Sequence, residues 1–201
     1  MSNSSIFLFC RWTIVRAVVV VLLGVLMLAS PAYASGDQDL WQSLRSGGHV
    51  VLIRHAIAPG TGDPDTFDVN DCSTQRVLSQ EGHQQSDRIG TLFRDNGIQA
   101  AQVYSSQWCR CLETARGLSL GAVQEMPALN SFFQNRGMQG PQTQALREWL
   151  REAPLTQPTV LVTHQVNITA LTGHYPQSGE LIFLRVEESG DVVQIGTIQT
   201  R

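Results

Sequence analysis

The sequence predicts an α/β chain, a three-layer α/β/α sandwich around a mainly parallel central sheet. The run at residues 49–53 is apolar on both faces, as a central parallel strand must be when helices cover it from two sides. Residues 101–105 and 159–163 supply two more strands, and segments with apolar residues at helical spacing lie between the three. The chain then closes with residues 180–186 and 192–198 around the turn Ser189-Gly190-Asp191, a hairpin.

In order, residues 39–45 form a short helix ahead of the first strand. Residues 58–76, with two Pro, two Gly and four Asp, form a long loop, and loops of that length inside a domain usually have a function. Ser79 caps a helix that runs to Asn96 and stops at Gly97, with Ile89, Leu92 and Phe93 as its buried stripe. A helix at 108–118 follows the second strand, and residues 123–125 form a short strand. A helix at 142–151 turns Ala145, Leu146, Trp149 and Leu150 inward, and one more helix follows the third core strand to Thr172. No internal repeat or low-complexity tract interrupts this order.

The first segment carries Arg11 and Arg16, an apolar stretch at 17–29 and Ala32-Tyr33-Ala34, the pattern of a secretory signal peptide. Its 13 apolar residues fall short of the roughly 20 that span a bilayer. An uncleaved anchor is the other reading; the lack of a cysteine at the cleavage site disfavours a lipid anchor. Residues 1–34 are therefore expected to be a signal peptide and 35–201 one domain, exported and periplasmic, with no stable membrane span once cleaved. That domain carries 12 Arg against 17 acids, so broad nucleic-acid binding is excluded and any anion site must be local.

All 14 basic residues are Arg. Without a lysine there is no Walker loop, so Gly60-Thr61-Gly62-Asp63 does not cradle a nucleotide. Beyond the leader remain Cys72, Cys109 and Cys111, an odd number for an oxidising compartment. Cys109 and Cys111, two apart on a helix, do not face each other, so Cys72 pairs with one of them and the other stays a buried thiol. Three buried thiols are the alternative. No Arg stands six positions after any of the three, which excludes a cysteine-dependent phosphatase.

The chemistry gathers at strand ends. Arg54-His55 follows the first strand, Ser105-Ser106 and then Arg110 follow the second, and Thr163-His164 ends the third. Ligands of open α/β sheets bind beyond the carboxyl ends of the strands, so two Arg and two His share one pocket. Guanidinium groups grip two oxygens of a phosphoryl group at once, and an imidazole can attack phosphorus. The histidines with loop aspartates could instead hold zinc, but two neighbouring Arg repel a cation.

Arg54-His55-Ala56, Leu78-Ser79-Gln80-Glu81-Gly82, the stretch from Ser105-Ser106 through Arg110 to Glu113-Thr114-Ala115, and Thr163-His164 occur in the order of the histidine phosphatase superfamily. The resemblance, to its phosphoglycerate-mutase-like branch, spans residues 48–186. It implies a phosphoglycerate-mutase-like fold and a phosphomonoesterase without metal or other cofactor. His55 becomes the nucleophile of a covalent phosphohistidine, and Arg54, Arg110 and a charged His164 hold the phosphate.

Two departures matter. Ala56 stands where the best-known signature has Gly, which adds crowding beside the nucleophile. The acid of the family, a Glu near Leu129, is missing: the stretch reads Pro127-Ala128-Leu129-Asn130-Ser131-Phe132, and His164 is followed by Gln165-Val166-Asn167. Among Asp63, Asp65, Asp68 and Asp71, Asp63 is the expected acid, because Gly60, Gly62 and Pro64 shape a turn around it. Gln107, Trp108, Asn130, Phe132, Phe133 and Asn167 are candidate walls, and His49, His83 and His174 are structural or exposed. The expected partner is a small phosphorylated substrate, such as an envelope phosphosugar, or a phosphoprotein. A phosphate-binding module without turnover is the alternative.

Overall fold

In the computed structural model, which describes residues 35–200, six strands form one sheet: β1 (His49–Arg54), β2 (Gln102–Ser105), β3 (Val123–Glu125), β4 (Thr159–Thr163), β5 (Leu181–Val186) and β6 (Val192–Ile198). Their order is β3-β2-β4-β1-β5-β6. β4 runs parallel to both β1 and β2, β3 runs parallel to β2, and β5 and β6 complete the sheet as an antiparallel hairpin beside β1. The pleat of β1 sends Val51 and Ile53 into one core and Val50 and Leu52 into the other, so the strand must be covered on both faces.

Helices α1 (Ser35–Ser46), α2 (Gln80–Asp95) and α3 (Cys109–Gly117) contribute Leu40, Trp41, Leu44, Ile89, Phe93, Cys111 and Ala115 to the first core. α4 (Gln139–Glu152) and α5 (Gln165–Thr172) contribute Leu146, Leu150, Ile168 and Leu171 to the second. The result is the three-layer sandwich that the strand patterning predicts. Trp41 meets Phe93 and Phe183 edge-on at 5.0 and 5.1 Å, which fixes α1 against α2 and the sheet.

The differences are local. α1 begins four residues earlier than expected, with Asp37 in its first turn and Arg45 in its last, both favourable to the helix dipole. α4 also starts earlier, because Pro141 sits within the first turn, where a missing N–H costs nothing. Ala145 faces outward rather than into the core: Leu146 and Leu150 already fill the inner stripe, and Ala145 lines an open groove with Trp108 and Met138. Cys72 and Cys109 form the disulfide and Cys111 is the buried thiol.

The leader at 1–34 and its cleavage lie outside the described residues. Among the described residues no helix is long and apolar enough to cross a membrane.

Candidate active site

Three strand ends meet because β4 lies between β1 and β2. Arg54 stands opposite Thr163 in the β1–β4 register. The ladder then continues one residue further, with the His55 N–H donating to Thr163 O and the Ser106 N–H to Val162 O, both at 2.9 Å. His55, His164 and Ser106 are thereby set side by side at the ends of β1, β4 and β2. Arg110 enters from the first turn of α3.

The sequence blocks that flank these residues brace them. Ser79 caps α2 by accepting from the Gly82 N–H, and its own N–H donates to Ile57 O at 3.0 Å, two residues past His55. Gly82 itself allows this approach, since a Cβ there would lie 2.1 Å from Ile57 O. Thr114 Oγ1 accepts from the Ala56 N–H at 2.9 Å and donates to Arg110 O at 2.7 Å, so one hydroxyl links the end of β1 to the α3 arginine. From the other side Gly179, at φ +73°, donates its N–H to Arg54 O, and Arg54 Nη1 donates to Pro176 O.

Arg54, His55, Asp63, Arg110 and His164, the five expected site residues, all line one cavity of about 120 Å³, together with Gly60, Thr61, Gly62, Arg76, Ser131, Phe133, Gln165 and Val166. The two imidazoles lie 5.5 Å apart between centroids. Arg76 is the residue that sequence reasoning missed. Its Nε donates to Gly62 O at 3.0 Å and its Nη1 to Ala58 O, so the long loop folds back over its own last residue. The one hint in the sequence was an arginine just ahead of the Leu78–Gly82 block.

His55 is buried, and its Nδ1 lies 2.8 Å from Ala56 O. A carbonyl only accepts, so Nδ1 carries the proton and the lone pair stays on Nε2. Burial, followed by the charge of Arg110, holds His55 well below the usual imidazole range, and the Ala56 contact offsets this only in part. The ring is therefore neutral, with a free lone pair on Nε2.

His164 is likewise held well below that range, by burial first and then by Arg110 and His55. This corrects the expectation of a charged His164. Arg110 Nη2 lies 3.4 Å from its Nδ1 and Ser106 Oγ 2.8 Å from its Nε2, so Nδ1 accepts and Nε2 donates. Ser106 donates its own O–H to Asn130 Oδ1 at 3.2 Å. Asn130, which stands next to Leu129 in the stretch where the family has its acid, thus anchors His164. Cys111 Sγ lies 3.4 Å from His164 Nε2, but burial pushes its thiol up to about 12, so it stays protonated and unreactive.

Asp63 requires the second correction. Arg110 grips it with two parallel bonds, Nη1 to Oδ1 at 2.7 Å and Nη2 to Oδ2 at 3.1 Å, and Trp108 Nε1 and the Arg76 N–H complete its shell. Burial raises its affinity for a proton, but these donors and the Arg110 charge outweigh burial and hold the carboxyl below its ordinary range. A carboxylate kept ionised is a counterion that orients Arg110, and it is a poor proton donor. Because the folded state lowers this pKa, Asp63 contributes stability above the unfolded value of about 4 and loses it as pH falls through the folded value.

The remaining candidates divide. Phe133 lines the cavity, while Trp108 and Asn130 line the neighbouring groove. Phe132 is core at 1 % exposure. Gln107 Oε1 accepts from Asn130 Nδ2, and Asn167 is buried with Oδ1 unpartnered among the described residues. Asp65, Asp68 and Asp71 do not line the cavity. Of the other histidines, His49 bonds Gly47 O, His83 lies near Glu113, and His174 pairs with Glu180. Among the described residues Arg54 and Arg110 each present a buried Nε–H without a partner, two desolvated donors suited to an oxyanion.

Residues 50–143 match the family described as the histidine phosphatase superfamily (branch 1), a match that ends before His164. No curated protein matches the chain. Among solved structures, the protein histidine phosphatase SixA complexed with tungstate aligns with a TM-score of 0.55 at 16 % identity, covering 75 % of this chain and 96 % of that one. Phosphoserine phosphatase from Entamoeba histolytica, in complex with 3-phosphoglyceric acid, aligns at 0.54 and 15 %, covering 76 % and 98 %. Mycobacterial glucosyl-3-phosphoglycerate phosphatase aligns at 0.51 and 15 %, covering 71 % and 92 %. At such identity the likeness is one of fold. The motif blocks in order, the match over the segment that carries His55, Asp63, Arg76 and Arg110, and the shared architecture together support the histidine phosphatase superfamily for this chain.

Proposed function

We propose that the protein is a phosphatase that passes a phosphoryl group to His55 and then to water, without a metal. The observation that carries this reading is the Nδ1 contact to Ala56 O, which leaves a neutral ring with its Nε2 lone pair in a cavity of guanidinium groups. In the first step Nε2 attacks phosphorus, the P–N bond forms, and the bond to the leaving atom breaks with its electron pair. In the second, water attacks phosphorus, and the P–N bond returns its pair to Nε2. Arg54 and Arg110 neutralise charge on the non-bridging oxygens, while the neutral His164 ring lines the same cavity.

Asp63, the one carboxylate among the described residues of the cavity, is ionised and bound to Arg110. The site therefore favours leaving groups that depart without a proton from the protein: phenols, carboxylates, and the imidazole of phosphohistidine, whose distal nitrogen can take a proton from solvent. Aryl phosphates are expected to exceed alkyl phosphates in kcat/KM by about a thousandfold, in line with the missing contribution of a general acid. Comparable rates on both would show an acid elsewhere. Asp63→Asn should slow aryl and alkyl esters by the same factor and cost about 3 kcal/mol of stability in a urea melt, since it leaves Arg110 buried and unpaired. A loss confined to alkyl esters would return Asp63 to the acid's role.

The leader-like residues 1–34 support export to the periplasm, where an envelope phosphosugar or a phosphoprotein would be the substrate. The deciding experiment is hydrolysis of p-nitrophenyl phosphate by the mature protein with a chelator present, beside His55→Ala. Release that survives chelation and vanishes with His55 supports the phosphatase. Release on no phosphate compound, with phosphate still bound, identifies a binding module.

A further inference from the structure

We infer that Arg76 is a third phosphoryl ligand and that it selects the fully ionised, dianionic form of the group; this deepens the phosphatase reading and rests on the same cavity. Arg54, Arg76 and Arg110 line that cavity against the single carboxylate of Asp63. With His55 and His164 neutral, the walls carry a surplus of two positive charges. A phosphoryl dianion cancels that surplus, and a monoanion leaves one cation uncompensated in a largely buried site.

Arg76 is built for the role. Nε and Nη1 are fixed by the carbonyls of Gly62 and Ala58, and among the described residues Nη2 has no partner. Its backbone joins the Asp63–Arg110 pair, through its N–H to Asp63 Oδ1 at 3.2 Å and its carbonyl to Arg110 Nη1 at 3.4 Å. The guanidinium is thus held in one place before any phosphate arrives. Burial and the charge of Arg110 lower its pKa, Asp63 offsets part of this, and the group stays charged.

The other groups near it leave the selection to Arg76 and the ligand. Asp63 lies on its own loop and is bound to Arg110. Arg54 and His55 end β1, Arg110 and Cys111 come from α3, and His164 follows β4. Glu113, also on α3, accepts from the Leu78 N–H and does not line the cavity. Both histidines are held neutral and Cys111 protonated, so the phosphate itself is the group that changes charge near neutral pH. Phosphate monoesters do so at about pH 6.

The test is calorimetric titration with inorganic phosphate, well below and well above its second ionisation, for the wild type, Arg76→Gln and Arg76→Lys. Gln keeps an amide donor for the loop carbonyls and removes the charge; Lys restores the charge without the fixed fork. The wild type should bind the dianion about tenfold or more tightly than the monoanion. Arg76→Gln should lose about 10- to 100-fold for the dianion and little for the monoanion, with Arg76→Lys between them. In turnover, the rise of kcat/KM with substrate ionisation should flatten in Arg76→Gln. Equal weakening of both ionic forms, or none, overturns the inference. Should Arg76→Gln unfold, Arg76→Lys carries the test, because unchanged dianion affinity there also excludes a fork-dependent contact. Wild-type phosphate binding without turnover of any ester would refute the phosphatase reading alone, since the binding arm needs no catalysis.

Discussion

Replacing His55 with Ala is expected to lower kcat/KM for p-nitrophenyl phosphate by about 10⁴-fold or more, because in the proposed mechanism it removes the atom that forms the bond to phosphorus. Binding should respond differently. Arg54, Arg76 and Arg110, the proposed phosphoryl ligands, line the cavity and are supported by Pro176, by Gly62 and Ala58, and by Asp63, none of which depends on the imidazole. Phosphate affinity should therefore fall by less than about tenfold, the share of one weak contact. A variant that retained a tenth of wild-type turnover would point to another nucleophile, with His164 Nδ1 the first to consider, since Nε2 donates to Ser106.

Opening the disulfide should have the second large effect, on stability. Cys72 and Cys109 are 37 positions apart, and closing a loop of that length in the unfolded chain is worth about 4 kcal/mol on entropic grounds. Cys72→Ser or full reduction should lower the unfolding free energy by about that amount. The same bond ties the loop carrying Asp63 and Arg76 to the first residue of α3, next to Arg110. Gln75 adds a second tie, its Oε1 accepting from the Cys109 N–H at 2.9 Å. Turnover should therefore fall alongside stability. Urea melts with and without reductant, paired with rates at the same redox state, measure both; unchanged midpoints would mean that the loop is held without the bond.

What could be read from the sequence follows the range of the interactions. The strands at 49–53, 101–105 and 159–163 were legible because apolar patterning is local, and their ends announced Arg54, His55 and His164. That α1, α2 and α3 share one face was not local information, and neither was the outward turn of Ala145, which depends on how much of the core Leu146 and Leu150 fill. The choice of Cys109 over Cys111 turns on where α3 begins and which of its sides meets the core.

Charge states were the least legible. Asp63 lines the cavity, yet the partner that fixes its ionisation lies 47 positions away. His164 looked like a cation until its burial beside Arg110 and His55 was seen. Arg76 reaches the cavity only because the long loop folds back through Gly62, Asp63 and the disulfide, a path that no short motif encodes.

The most direct measurement is rapid acid-free quenching of the protein during turnover of an aryl phosphate, followed by peptide mass spectrometry under alkaline conditions that preserve phosphohistidine. One HPO₃ group should appear on the peptide carrying His55, attached at Nε2, and should vanish in His55→Ala. A phosphate on any other residue, or steady turnover with His55 never modified, would contradict the account.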